Sequence, residues 1–389
     1  MVKDNDQIRI DIGNLPVWNG VQDKPGFNNL PFVLGINRGV VRLDLTQTDL
    51  DSITQGYSSD SYSFITSPPG TSEWGSRLGD LYFQMLANQV GSLAGKTVLE
   101  IGAGTVYIGR RVLEELGADH FIACDPAIKA ESDLSNLEVV REYFGTALFG
   151  ERHLDLVLSI NNLEHVPDPS GYLMDVRQSL ERTDGTLYVV IPDTSRGLES
   201  GDIGICVHEH LSYFTPESFT NMLRVCGFEL TWLHTQDDTI FATAKPVSAI
   251  DAEGINSEDD MAILARFKDR VSYNLDSARR LIDQHRGNSQ LAIHGCDVRL
   301  NNILGLLGIH QDPTIFLFDG DSNKVDKYLP AFDRPILAAS DDQYNSMDAV
   351  IVSPLTYYKE ITSSIANAHN IPPGRMYPIF PLDNGRGPD

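Results

Sequence analysis

Two kinds of apolar pattern alternate along this chain. Thr97–Ile101 (TVLEI), Phe121–Cys124 (FIAC), Leu154–Ile160 (LDLVLSI) and Thr186–Ile191 (TLYVVI) are nearly continuous apolar runs. Runs of that kind predict parallel strands buried on both faces. Between them lie helical spacings. Leu78, Leu81, Met85 and Leu86 mark a helix over Ser72–Gly91, Ile108–Leu116 stops at Gly117, and Gly171–Leu180 is a third. Strand and helix in alternation predict an α/β fold built on a parallel, Rossmann-like sheet. Ahead of it, Asn14–Asn29 reads as loop and Phe32–Leu45 as a β-hairpin turning at Asn37-Arg38-Gly39. Asp49–Gly70 reads as a loop carrying Tyr57, Tyr62 and Phe64, placed to cover substrate or to pack a small domain onto the core.

The pattern repeats on a smaller scale near the end. After a long amphipathic helix over Glu258–His285, Ser289–Leu307 starts as a strand, turns at Gly295 and continues as a helix. Thr314–Asp319 and Ala349–Ser353 are further buried strands, so a second Rossmann-like unit is expected. The predicted domains are 1–75 (small, β-containing), 76–250 (main sheet), 251–288 (linking helix) and 289–389 (C-terminal).

The chemistry is densest at Thr97–Pro126. Gly102 and Gly104 allow a tight turn and a close backbone approach to a ligand, and Asp125 follows Gly104 by 21 residues, at the end of the next strand. That spacing places an acid where it accepts both hydroxyls of an adenosine ribose. A dinucleotide such as NAD fits poorly. The third glycine of G-x-G-x-x-G is missing, and Glu100 would face a pyrophosphate. The same glutamate suits the sulfonium and ammonium of S-adenosylmethionine.

Charge narrows the partners. The 389 residues carry a formal net charge of −24, which argues against nucleic acid or an anionic membrane surface. No apolar run approaches the length of a membrane span, and no signal peptide is evident at the N-terminus. The four cysteines, Cys124, Cys206, Cys226 and Cys296, form no C-x-x-C pair, which disfavours structural zinc and fits a reducing cytoplasm. A small-molecule substrate is expected, and nothing indicates the oligomeric state.

Two further clusters stand at strand ends or loops. Asn161, Glu164 and His165 follow Leu154–Ile160, at the carboxyl end where open α/β sheets bind ligands; alternatively, Glu164 and His165 only begin the next helix. His208-Glu209-His210 precedes a helix start with a capping threonine, Thr215-Pro216-Glu217-Ser218. H-x-H is a conceivable metal pair, but no third ligand is nearby in sequence. A carboxylate beside an imidazole reads better as a general base with its orienting group, against a packing role.

On these residues the chain resembles known families. V-L-E-I-G-x-G-T resembles motif I of the class I S-adenosylmethionine-dependent methyltransferases. E-H-x-x-x-F at Glu209–Phe214, with C-G-F-E-L at Cys226–Leu230, is similar to the C-methyltransferases of nucleotide-linked 4-keto-deoxysugars, over most of residues 55–380. The resemblance implies S-adenosylmethionine held by the turn at Gly102 and Gly104 and by Asp125; Glu100, by its charge, and Asn161, by its place at a strand end, are the further cofactor candidates. It also implies His210 as the base that forms an enolate, with Glu209 beside it. Tyr57, Tyr62, Tyr213 and Arg299 are the candidate substrate contacts, Arg299 for a phosphate.

The departures are specific. Val106 stands where the family often has glycine, and Val207 where it often has tyrosine. The family's lysine-bearing turn is replaced by Gly295–Arg299, and no cysteine or histidine precedes His120, so the family's N-terminal zinc is not expected. O- or N-methylation of another small metabolite is the nearest alternative, followed by a non-catalytic partner that keeps the fold and by an NAD oxidoreductase.

Overall fold

In the computed structural model, residues 9–26, 28–57, 73–129, 134–149, 151–247, 257–287, 289–369 and 371–380 are described. The chain opens with an antiparallel pair, β1 (Ile10–Pro16) and β2 (Asn29–Asn37), bulged between Asp11 and Gly13. Arg38 (φ 51°) and Gly39 (φ 74°) then turn the chain into β3 (Val40–Leu43). Two successive left-handed residues are what a tight hairpin requires, and the predicted turn is here. Helix α1 (Gln47–Tyr57) follows where the sequence suggested loop, then α2 (Glu73–Val90).

Strand β4 (Thr97–Ile101) leads through a turn to the short helix α3 (Tyr107–Arg111), which widens into one π turn over Val112–Leu116. Gly117, left-handed at φ 71°, ends it as predicted. Next come β5 (His120–Cys124), β6 (Leu137–Val140), α4 (Thr146–Phe149), β7 (Leu156–Ile160), α5 (Pro169–Glu181), β8 (Thr186–Pro192), α6 (Ser195–Ser200) and β9 (Ser212–Tyr213). Helix α7 (Pro216–Val225) starts on a reciprocal cap: Ser218 N–H donates to Thr215 Oγ1 (3.1 Å), and Thr215 N–H to Ser218 Oγ (2.9 Å). Strands β10 (Phe228–Gln236) and β11 (Thr239–Pro246) complete this part. The rest of the chain is α8 (Ser257–His285), β12 (Leu291–His294), α9 (Val298–Leu307), β13 (Ile315–Asp319), β14 (Leu337–Ala338), β15 (Ala349–Val352), α10 (Tyr358–His369) and β16 (Met376–Pro378).

The chain divides into two compact units. Of the described residues, the first comprises those within 35–196 and 209–260; the second comprises those within 9–34, 197–208 and 261–380. The N-terminal strands are therefore shared out, and 197–208 groups with the C-terminal region, boundaries that differ from the sequence-based ones.

The first unit holds a seven-stranded sheet in the order β10-β11-β8-β7-β4-β5-β6. Its strands β8 to β6 in that order are parallel, whereas β11 is antiparallel to both neighbours. All five residues of β7 are buried, as its unbroken apolar run requires. Apolar clusters cover both faces, one containing Leu99, Val157 and Phe219, the other Val98, Phe121 and Tyr188. Burying each such side chain contributes about 1.5–3 kcal/mol. The strand β9 pairs with β3 in this unit. The second unit is built on a five-stranded parallel sheet, β14-β13-β12-β15-β16. Among the described residues no helix is long and apolar enough to cross a membrane.

Candidate active site

At the carboxyl ends of β4, β5 and β7, the first unit encloses a cavity of about 890 Å³. Parallel sheets of this type bind ligands there because neighbouring loops diverge and leave a crevice. The β4 turn forms one wall. Gly102 has φ 78°, and a Cβ on it would lie 2.7 Å from the Asn162 side chain, so only glycine fits. Gly104 N–H donates to Asp125 Oδ2 (3.1 Å), and Ala127 N–H to Asp125 Oδ1 (2.7 Å). These two bonds hold the Asp125 carboxylate at the end of β5, where it lines the cavity.

Glu100 lies in β4 and is 3% exposed, and its Oε2 has no hydrogen-bond partner among the described residues. Burial, and then the charge of Asp125, push its carboxyl up to about 8. A buried acceptor without a donor is costly unless a ligand supplies one. Asn161, left-handed at φ 46°, follows β7; its amide donates to the Tyr82 hydroxyl at 3.4 Å.

Val106, which stands where the family often has glycine, differs from the residues on either side of it. It is left-handed (φ 60°) and fully buried within the cluster around Phe83, Leu86 and Val112. Thr105 and Tyr107 line the cavity, but Val106 does not. The valine turns into the core instead of crowding the ligand.

The second wall gathers ionisable groups from separate loops. His165 ends a short 3₁₀ turn after β7, and His210 lies just before β9. Their rings meet edge to face, with centroids 5.0 Å apart. His165 Nδ1–H donates to the Glu209 carbonyl at 2.8 Å, which leaves the lone pair on Nε2, 3.8 Å from Glu164 Oε1. Burial lowers His165 to about 4, opposed by that hydrogen bond. Burial and then the neighbouring His165 lower His210 to about 3. Glu164, 2% exposed and with Oε2 unpartnered, is raised to about 8 by burial. The pair of imidazoles is therefore neutral at pH 7, beside a protonated carboxyl.

Donor atoms of Glu164, His165 and His210 lie within 4.8 Å of one another, a set compact enough to hold a metal ion. Among the described residues this trio, and not the H-x-H pair, is the metal-capable group. His208 belongs to the second unit, where its ring packs edge-on against Phe32 and its Nε2 lies 3.3 Å from the Leu30 carbonyl.

The structure brings Glu100, Gly102, Gly104, Asp125, Asn161, Glu209 and His210 to one cavity. Tyr213 is fully buried in β9 with its ring 6.5 Å from His210. Arg299 does not join them. It belongs to the second unit, where its Nε and Nη2 donate to Asp202 (2.7 and 2.6 Å). Tyr62 and the side chain of Tyr57 lie outside the described residues. Tyr82, Tyr143, Phe144 and Tyr172 also line the cavity; no local sequence signal separates them from other aromatics.

Two family models match the chain. The methyltransferase domain covers residues 76–233, and the C-methyltransferase C-terminal domain covers 227–377. No curated protein matches the chain. Among solved structures, similarity extends to the DhpI–SAH complex, with 19% identity over 53% of this chain and 100% of that one (TM-score 0.39). An S-adenosylmethionine-dependent methyltransferase from Aquifex aeolicus is 15% identical over 44% of this chain and 93% of its own (TM-score 0.36). A putative methyltransferase in complex with the Haloferax volcanii Trm112 activator is 14% identical over 45% and 93% (TM-score 0.36).

The glycine turn, the acid at the end of β5 and the sheet order define a class I nucleoside-binding enzyme fold. The chain is a class I S-adenosylmethionine-dependent methyltransferase with a C-methyltransferase C-terminal domain. The cavity fits that cofactor. Its volume suits a ligand of this size, Gly102 admits close approach, and the unpartnered oxygen of Glu100 calls for a cationic or hydrogen-bonding group.

Proposed function

We propose that this enzyme methylates a carbon atom beside a ketone, the acceptor being a keto-sugar. The observation that carries the reading is the half-buried His165–His210 pair, neutral and adjacent to the buried Glu164 at the cavity wall. Glu100, Gly102, Gly104, Asp125 and Asn161 would hold the cofactor, which supplies a methyl group on a cationic sulfur. Methyl transfer is an in-line displacement, so positioning and exclusion of water are the protein's main task. Carbon becomes a nucleophile only after its proton is removed. His210 takes the α-proton, and the resulting enolate carbon accepts the methyl group.

His165 receives support from the Glu209 main chain, whose carbonyl fixes the tautomer that presents Nε2. Glu164 sets the strength of the pair. While protonated it leaves the imidazoles weakly basic; once ionised, its negative charge 3.8 Å from His165 favours the imidazolium. Neutral imidazoles that accept a proton inside a mostly apolar cavity match the needs of enolate formation. His210→Ala should abolish turnover of a 4-keto-deoxyhexose while S-adenosylhomocysteine binds with unchanged affinity. A variant at full activity would remove His210 from this role.

A further inference from the structure

The charge lining the cavity narrows the acceptor beyond the reaction type. Among the described residues that line it, eight carry a carboxyl group, Glu164, Asp168, Asp175 and Asp238 among them, and none is lysine or arginine. The described segment that leads to its first lining residues is equally poor in cations: residues 43–57 contain no lysine or arginine. A diphosphate is ordinarily met by arginine forks, lysine ammoniums or a run of backbone N–H groups at a glycine-rich turn. In the first unit the turn that would serve, after β4, faces Glu100 and Asp125.

The second unit offers two cations at sites of interest, and both are committed. Arg299 spans both carboxylate oxygens of Asp202 and donates from Nη1 to the Ser353 carbonyl at 2.9 Å. Lys324 lines a cavity of about 310 Å³ at the ends of β12 and β13. Its ammonium donates to Asp319 and to the Cys296 carbonyl, both at 3.1 Å, while Asp297 and Glu360 line the same cavity. A phosphate there would meet more carboxylates than ammonium groups.

What the reaction cavity does ask for is a hydrogen-bond donor. Glu164 is buried beside the two histidines, and its Oε2 has no partner among the described residues. A buried acceptor of this kind is satisfied when a ligand brings an N–H or O–H group. Resting on the methyltransfer reading above, we propose that the acceptor enters without a phosphate, as a ketone bearing an amine or hydroxyl that donates to Glu164. The nucleotide expected from the sequence resemblance is thereby removed from the substrate, while the keto group is kept.

The test uses the full chain saturated with S-adenosylhomocysteine and calorimetric titration with thymidine diphosphate. The proposal expects no binding up to roughly 1 mM; a micromolar dissociation constant overturns it. Turnover is then compared, with S-adenosylmethionine, for a 4-keto-6-deoxyhexose as its methyl glycoside, its 3-amino analogue and its thymidine diphosphate ester. A kcat/KM for either phosphate-free compound about 100-fold above the ester is expected, and a preference for the ester overturns the proposal. The amino and hydroxyl compounds identify which donor Glu164 meets. Glu164→Leu, which leaves no acceptor at this position, should weaken binding of the preferred one about tenfold; unchanged binding, with S-adenosylhomocysteine still bound, removes the assigned contact. If none of the sugars is methylated, the keto-sugar reading fails, and the thymidine diphosphate titration still decides the charge question by itself.

Discussion

Binding of the cofactor should expel a proton from Glu100. The residue is buried in β4 with an unpartnered oxygen, and its carboxyl is held up at about 8 by burial and by Asp125. A group with that pKa is about 90% protonated at pH 7. A cation brought against it favours the carboxylate and returns it towards the ordinary carboxyl range near 4–5. Binding then releases about 0.9 proton at pH 7, about 0.5 at pH 8 and about 0.1 at pH 9. The sign follows from linkage. The unbound form holds more protons than the bound form, so affinity rises with pH and levels off above 8. Between pH 6 and pH 8 it should tighten about 50-fold. Calorimetric titration of S-adenosylmethionine in two buffers of contrasting ionisation enthalpy reads the proton count directly. In Glu100→Gln the release should vanish and the affinity should become nearly independent of pH. Zero release by the unaltered protein at pH 7, or the same release by Glu100→Gln, would refute the assignment.

Two other predictions concern the same cavity. Catalysis should follow the titration of Glu164: its raised carboxyl, at about 8, means that kcat/KM increases as pH rises through that value, because the carboxylate strengthens the neighbouring imidazoles. Glu164→Gln should flatten this limb of a pH–rate profile, and an unchanged limb would assign it elsewhere. Val106→Gly should leave affinity for S-adenosylhomocysteine within about threefold, since the side chain points into the core cluster. Its effect on thermal stability should be small. Relief of left-handed strain, about 1–3 kcal/mol for a β-branched residue, opposes the loss of about 2 kcal/mol of buried apolar surface. A tenfold change in affinity would show that Val106 does reach the ligand.

Much of the fold was legible because the signals are local. Thr97–Ile101 has almost no polar positions and is a central strand of the sheet; Gly117 and the Thr215–Ser218 cap end and start helices where their chemistry says they should. The misses are also local in origin. Gln47–Tyr57 is polar and acidic with few apolar anchors, so its helix left little periodicity to read. Val106 was ambiguous because the sequence gives a residue type but not the φ that turns its side chain inward.

The site itself was legible only in parts. The glycine turn and Asp125 sit on one β-α-β stretch, so spacing alone placed them. Glu164 and His165 are more than forty residues from His210, and only the ends of β7 and the loop before β9 bring them together. Within His208-Glu209-His210, neighbours in sequence part company. His208 packs against Phe32, His210 meets His165, and Glu209 acts on that pair through its carbonyl. Arg299 looked available for a phosphate because its partner, Asp202, lies 97 residues away in the sequence.

The central claim is that carbon is the atom methylated. The most direct measurement supplies S-adenosylmethionine with a ¹³C-labelled methyl group to the enzyme and a phosphate-free 4-keto-6-deoxyhexose, then locates the label by two-dimensional NMR. The account predicts a methyl carbon bonded to the carbon beside the ketone, showing one-bond carbon–carbon coupling, with no labelled product from His210→Ala. A label found on oxygen or nitrogen would contradict it.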